Sequence, residues 1–325
     1  MASRASVAPS AFNLLKRYFQ VYWLKPFDAV NDTANAWALR RFSWEEPILE
    51  IGGGDGMFSF IMQGGEFAFG DDRYFQCDPG RGGDIFDVYT EGKPLQIRKK
   101  AGLTYAVGVD LKVSHLQKAR ETGLYQEMKS SAPEKIPLGD SRFQTVFLYL
   151  FHGLSDYEKT LREARRVIRP RGKLLMVAFN DTVGRYFICH KLKEFFNRKG
   201  WRGLARFWDR LDGGRYQEIG GLAKSLPEWE ALLEKTGFRL NTTYAQVSPG
   251  AWRVYDIQTR PFFRTLIRWT SGLEKIHLRR LVKFIWLYGG LVPLFCFYRA
   301  AARPRPVEKG TSCRDVLFVF NAEAA

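Results

Sequence analysis

Cysteine and histidine are scarce in these 325 residues, at four each. Cys77, Cys189, Cys296 and Cys313 form no C-x-x-C pair. With His115, His152, His190 and His277 they give no zinc-ligand spacing, so no metal is expected. Cysteines scattered in this way fit a reducing compartment better than a disulfide framework. Residues 1–15 lack the continuous apolar core of a secretory signal, so the expected location is cytoplasmic. Acidic residues are also short, 34 against 50 Lys and Arg, which leaves a net charge of +16. An excess of that size predicts attraction to an anionic surface, either acidic lipid or nucleic acid. Nothing in the composition suits a disordered, collagen-like or low-complexity chain. The length is enough to bury a full core without staples.

What is present is a change of period along the chain. Phe12, Leu15, Tyr18, Phe19, Tyr22 and Trp23 recur at three and four, which predicts a helix over 11–26, with a second over about 27–42. Then Pro47-Ile-Leu-Glu-Ile51 runs into Gly52-Gly-Gly-Asp-Gly56, and 57–62 resumes as an apolar helix. That is strand, tight loop, helix. Residues 64–104 have no sustained period. Their aromatics need packing, so an ordered insertion is expected that frames the mouth of the site. Further strands are expected at 105–109, about 124–128, 143–149, 173–179, 238–247 and 313–321, with helices at 114–121, 156–168 and from Ser225 to Gly237. Pro170-Arg-Gly172 is expected to stop the helix before it. Alternating helices and apolar strands point to a parallel, doubly wound sheet.

The glycine loop alone is a weak signal, and it fails both the dinucleotide and the P-loop fingerprints. In its setting, however, Ile48-Leu-Glu-Ile-Gly-Gly-Gly-Asp-Gly56 resembles the first motif of class I S-adenosylmethionine-dependent methyltransferases. Ile136-Pro-Leu-Gly-Asp-Ser-Arg-Phe143 and Leu161-Arg-Glu-Ala-Arg-Arg-Val-Ile-Arg-Pro-Arg-Gly-Lys-Leu-Leu175 resemble later motifs of the subgroup that methylates small molecules and lipids. The resemblance implies an α/β, seven-stranded, mostly parallel Rossmann-like sheet, with S-adenosylmethionine as cofactor. Residues 1–46 would be an N-terminal helical extension. Residues 47–251 and 307–325 would form the methyltransferase domain, with 64–104 inserted in it, and 252–306 would be a helical insertion before the last strand.

In that family the backbone at Gly52, Gly54 and Gly56 would face the methionyl half of the cofactor, with Glu50 orienting the loop and reaching its ammonium group. Asp110 would take the ribose hydroxyls, although an acid there also suits the cap of the following helix. Glu50 and Asp110 are 60 positions apart, where about 20 is usual for such acids, and the insertion absorbs the surplus. The acid usual near the adenine is replaced by Ala132, so the adenine is expected to rest on backbone groups there and on apolar faces. Leu111 and Leu148 are counted among the cofactor contacts. His152, just past the strand at 143–149, is a candidate general base for a hydroxyl acceptor, and equally a histidine that packs locally.

The segment 253–309 holds twelve Lys or Arg against three acids, so most of the excess charge lies here. Within it 281–298 is apolar apart from Lys283, and Gly289, Gly290 and Pro293 interrupt the run. The expected form is a hairpin that dips into a membrane or lies flat on it, because the last strand must rejoin the sheet. The expected function is therefore methylation of a lipid or lipid-linked acceptor by a protein peripheral to the inner, cytoplasmic face of an anionic membrane. The alternatives are a soluble methyltransferase of a small hydrophobic metabolite or RNA, and a silent membrane-surface scaffold. Nucleic acid is the least favoured partner, since no recognised module accompanies the basic patch.

Overall fold

The computed structural model describes residues 10–74, 77, 94–149, 156–258, 260–275 and 277–325. Two helices come first, α1 (Ala11–Val21) and α2 (Pro26–Leu39), then β1 (Ile48–Ile51) and α3 (Met57–Met62). A small antiparallel pair, β2 (Glu66–Phe67) and β3 (Ile97–Lys99), brackets the insertion. The alternating core follows: β4 (Tyr105–Asp110), α4 (Val113–Glu121), β5 (Tyr125–Ser130), β6 (Phe143–Tyr149), α5 (Tyr157–Val167) and β7 (Ile168–Phe179). Four helices lead on to the next strand: α6 (Ile188–Arg198), α7 (Arg202–Asp212), α8 (Arg215–Leu222) and α9 (Leu226–Lys235). The chain ends with β8 (Phe238–Gln246), α10 (Pro249–Ile257), α11 (Phe263–Lys275), α12 (Arg279–Ala301), β9 (Arg305–Val307) and β10 (Leu317–Ala324).

The main sheet has the order β5-β4-β1-β6-β7-β10-β8-β9. The first five strands are parallel, and β10, β8 and β9 join antiparallel. The fold is the expected Rossmann-like α/β sheet with one strand more than expected, the short edge strand β9. Pro170–Gly172 does not separate helix from strand as expected. Strand β7 begins at Ile168, and Arg171, at φ 61°, sits in an irregularity between Ile168 and Lys173.

One face of the sheet is covered by α5 and α9, whose Leu161, Ala164, Trp229 and Leu233 pack on Leu49, Val146, Met176 and Phe320. Ser225 and Glu228 close a capping box that fixes the start of α9. The other face carries α1, α2, α3 and α12 in a single apolar layer. Residues 1–46 and 252–306, read in sequence as two separate units, are thus packed together where they are described. Phe12 meets Phe295 edge-on at 5.1 Å and Phe27 meets Phe297 at 5.0 Å.

Gly289, Gly290 and Pro293 do not break the apolar run. It forms one helix of 23 residues, α12. Leu287, Leu291, Leu294 and Tyr298 bury one face, while Gly289 and Pro293 lie on the exposed side, where a lost backbone bond can be met by water. Gly290 has a positive use: a Cβ there would stand 3.3 Å from the Phe19 ring, so its absence lets α12 close on α1. By length and composition α12 could cross a membrane, and 28% of its most apolar window is buried inside the protein.

Candidate functional site

The carboxyl ends of β1 and β4 open into a cavity of about 970 Å³, at the upper end of the range for ligand pockets. Its sheet-edge half is made of Gly52–Asp55, Asp110–Lys112, His115, Ser131 and Pro133. Gly52, Gly54 and Gly56 have φ values of 80°, 57° and 73°, a region side chains resist, so the loop requires glycine. At Gly53 the reason is space, since a Cβ would lie 2.9 Å from the Glu50 carboxyl carbon.

Glu50 is completely buried beneath that loop and accepts hydrogen bonds from the Ser59 and Tyr125 hydroxyls, both at 2.7 Å. Burial pushes its carboxyl up to about 7, against those two bonds. In this position it props the loop from below and does not line the cavity. Asp110 behaves in the opposite way. It accepts from the backbone N–H of Gly54 at 3.0 Å and of Lys112 at 2.9 Å, and His115 Nδ1 is 3.7 Å away. Burial opposes its ionisation, but the nearby His115 and the bonds from Lys112 and Gly54 outweigh it and hold the carboxyl below its usual range. The sheet-edge half therefore offers open backbone beside a fixed negative charge.

Of the other residues singled out in the sequence, Leu111 lines the cavity. Ala132 stands between Ser131 and Pro133, which line it, and its carbonyl accepts from Lys135 N–H at 3.1 Å. Leu148 is buried in the apolar layer under α5 and α9 and is not a cavity residue. Side chains alternate along a strand, so its neighbour Tyr149 is the one that reaches the cavity. His152 lies outside the described residues, as do residues 75, 76 and 78–93 of the expected insertion.

The second half is helical and was not anticipated. Asp28, Asn31, Asp32 and Asn35 project from α2, with Tyr22 before them, and Phe187, Trp252, Tyr255, Arg260 and Arg264 close the opposite wall. Gln258 ties the two walls together, donating to Asp28 at 2.8 Å and accepting from Phe27 N–H at 3.2 Å. Asp32 accepts from the Tyr149 hydroxyl at 2.8 Å, and burial raises its carboxyl to about 7. Trp252 Nε1 and Arg260 Nε are buried without a hydrogen-bond partner, two donors at this wall. The signal for this half was present in the sequence: polar residues at 28, 31, 32 and 35 fall on one face of a helix that is, Thr33 apart, otherwise apolar.

Residues 89–176 match a family model described as a methyltransferase domain; the match begins beyond the glycine loop. The chain is also similar to the ubiquinone/menaquinone biosynthesis C-methyltransferase UbiE of Rickettsia felis, at 24% identity over 148 residues, 43% of this chain. It spans 57% of that relative's length. Among solved structures, a methyltransferase of Thermotoga maritima, described as a possible histamine N-methyltransferase, is 12% identical with a TM-score of 0.49. The alignment covers 97% of this chain and 98% of that one. A methyltransferase of Thiobacillus denitrificans in complex with S-adenosyl-L-homocysteine is 15% identical with a TM-score of 0.42, covering 98% and 99%. The family match and the curated relative bear out the resemblance to class I S-adenosylmethionine-dependent methyltransferases.

Proposed function

We propose that this chain binds S-adenosylmethionine in the sheet-edge half of the cavity and transfers its methyl group to a hydrophobic acceptor held in the helical half, at an anionic membrane surface. The observation that carries the reading is the continuity of the cavity. One space runs from the open backbone at Gly52–Gly54 and the ionised Asp110 to an aromatic wall of Phe187, Trp252 and Tyr255.

The residues suit the cofactor. Asp110 would accept from the two ribose hydroxyls, and at Gly54 a Cβ would meet only His115 Nδ1, at 4.0 Å, which leaves the backbone there open to the methionyl group. When bound, the cofactor supplies an already activated methyl. What remains for the protein is to position two reactants in line, exclude water and accept any proton that is released. Phe58, stacked on Tyr149 at 4.2 Å, and the rings around Trp252 do the excluding.

Support for a membrane comes from the outer face of α11 and α12. Leu281, Phe284, Ile285 and Val292 are exposed on one side of α12, and Trp269 of α11 and Phe262 just before it are exposed as well. Arg264, Arg268, Arg280, Arg299 and Arg303 are exposed around them, each worth about 1 kcal/mol near acidic headgroups. Phe262 sits between Pro261 and Phe263, both of which line the cavity, so the apolar face and the cavity mouth share one turn. An acceptor dissolved in lipid would have a short way in. The scattered reduced cysteines favour the cytoplasmic leaflet.

Two measurements test the reading. Calorimetry should give a saturable site for S-adenosylmethionine, and the protein should float with anionic vesicles more than with neutral ones. Failure to bind cofactor removes the enzymatic reading. Cofactor binding with no affinity for vesicles of any charge leaves a soluble methyltransferase of a small hydrophobic metabolite.

A further inference from the structure

We propose that Asp32, oriented by Tyr149, is the proton acceptor of this site, and that the molecule methylated carries a dissociable proton on oxygen or on an activated carbon. The inference rests on the methyl-transfer reading above and adds to it a residue and a chemical class.

Strand register carries the first step. Ile51 lies opposite Leu148 in the parallel pair β1/β6, so the next residues, Gly52 and Tyr149, stand abreast at the carboxyl edge, about 4.8 Å apart between backbones. Tyr149 is thus the first side chain of β6 to look over the glycine loop. Its hydroxyl has a defined direction. Asn35 Nδ2 donates to it at 3.3 Å, so the phenolic proton points the other way, onto Asp32 Oδ1 at 2.8 Å. Asn35 is itself fixed by a bond from the buried Gln246. A carboxylate is therefore aimed from α2 at the junction of the two halves of the cavity, with one oxygen held and the residue half-buried at the cavity wall.

The surroundings suit a base. Burial is the main influence on Asp32 and raises its carboxyl to about 7. The bonds from Tyr149 and Tyr22 and the field of Arg73 oppose that, and Asp28 adds to it. Tyr18 and Tyr255 feel the same charge from α1 and α10. A carboxylate titrating there is basic enough to take a proton and still ionised above neutral pH. The balance of the step is simple. The acceptor gives its proton to Asp32, and the electron pair left on its oxygen or carbon forms the new bond to the methyl carbon. The carbon–sulfur bond breaks with its pair kept by sulfur, and Asp32 later loses the proton to water.

The test uses the full chain labelled with [4-13C]aspartate, and methyl-labelled S-adenosylmethionine supplied with a total membrane lipid extract. One aspartate carboxyl should titrate near neutrality, vanish in Asp32→Asn and move upward in Tyr149→Phe. Transfer of label to chloroform-extractable product should rise with pH through the same range. Asp32→Asn should lower it ~10²–10⁴-fold and abolish the pH limb, while its calorimetric affinity for S-adenosylmethionine stays within threefold. Titration of Asp32 in the ordinary carboxylate range, or an unchanged rate and profile in Asp32→Asn, overturns the proposal and leaves the methyltransferase reading intact. A wild-type chain that binds no S-adenosylmethionine overturns both.

Discussion

The two halves of the cavity are built by different means. The sheet-edge half comes from short segments that end neighbouring parallel strands, and it works through backbone: Gly52 and Gly54 at positive φ and one acid held by two N–H groups. Gly56, expected at the cofactor, turns toward Tyr125 and Ala119 and does not line the cavity. The helical half works through side chains, and they come from far apart. The Asp32–Tyr149 bond spans 117 positions and the Asp28–Gln258 bond spans 230. A half made of backbone must announce itself locally, in glycines and their spacing. A half made of side chains on remote helices leaves only isolated polar residues on otherwise apolar faces.

The difference also predicts where each half is fragile. The helical layer behind the second half is pinned by one carboxylate, Asp72. Its side chain is fully buried, accepts from Arg279 Nη2 at 2.8 Å through both oxygens, and takes bonds from Lys283 Nζ at 3.1 Å and Trp23 Nε1 at 3.0 Å. It thereby pins the end of α1 and the start of α12 to the segment after β2. Asp72→Ala would remove the shared buried counter-charge of Arg279 and Lys283, leaving Arg279 the exposed Glu274 at 4.0 Å, and should cost about 3–5 kcal/mol in urea unfolding. In a chain that keeps Trp23 and Trp286 and carries phenylalanine at the other tryptophans, fluorescence should change before the circular dichroism of the sheet does. A loss under about 1 kcal/mol, or coincident transitions, would mean that the two halves stand or fall as one unit.

The next effect concerns pH, and each half contributes one acid to it. Glu50 below the loop and Asp32 in the helical wall are both raised by burial to about 7, whereas Asp110 is held low. A raised carboxyl binds its proton more tightly folded than unfolded. Its contribution is therefore complete below the ordinary carboxylate range and is lost as pH climbs through about 7. For shifts of this size the loss is on the order of 3 kcal/mol per acid. Asp110 acts in reverse, its contribution fading only under acid conditions. Unfolding free energy should fall between pH 5 and 8, and Glu50→Gln should remove about half of that fall. A flat profile would show that water reaches both carboxyls.

Cofactor affinity should separate the halves more finely. Asp110→Ala removes the acceptor proposed for the ribose hydroxyls and should weaken S-adenosylmethionine by ~1.5–3 kcal/mol per bond lost. Tyr149→Phe, across the cavity, should change that affinity less than twofold. If both variants weaken the cofactor equally, the division of the cavity is wrong.

How much of this was legible depended on how local the cause was. The helix at 57–62 and the strands at 105–110 and 143–149 follow from apolar runs beside turn residues, and they fell where the sequence put them. Strand β9 did not, because Arg305-Pro-Val307 has no strand signal of its own and exists by pairing with Thr243–Ala245 of β8. The break expected at Gly289, Gly290 and Pro293 was read from local propensity. Packing at 287, 291, 294 and 298, a spacing of four, three and four, overrides it. Leu148 was one residue from the side chain that lines the cavity, Tyr149, which on a strand means the opposite face. Asp32 was not singled out within the helix expected at about 27–42, since nothing in its neighbourhood names Tyr149.

The smallest effect on stability is expected on the outer face of α12, and it sharpens the comparison by sparing both halves. That helix has two faces of nearly equal apolarity. One is consumed by Phe19, Phe12 and the layer around them, while Ile285 and Val292 on the other are 62% and 61% exposed. Exposed apolar side chains that touch little contribute little to the fold. Changing both to serine should therefore alter unfolding free energy by less than about 0.5 kcal/mol each and leave S-adenosylmethionine binding as it was. Flotation with vesicles behaves differently, because it has two parts. The arginines attract acidic headgroups, and salt screens that attraction beyond about 10 Å at 0.1 M. The apolar stripe enters the headgroup boundary, and salt does not reverse that. The double variant should keep the salt-sensitive part and lose the salt-resistant one, so that 0.5 M salt strips it from anionic vesicles while the wild type stays bound. If the wild type is stripped as readily, α12 does not enter lipid, and its exposed stripe needs another explanation.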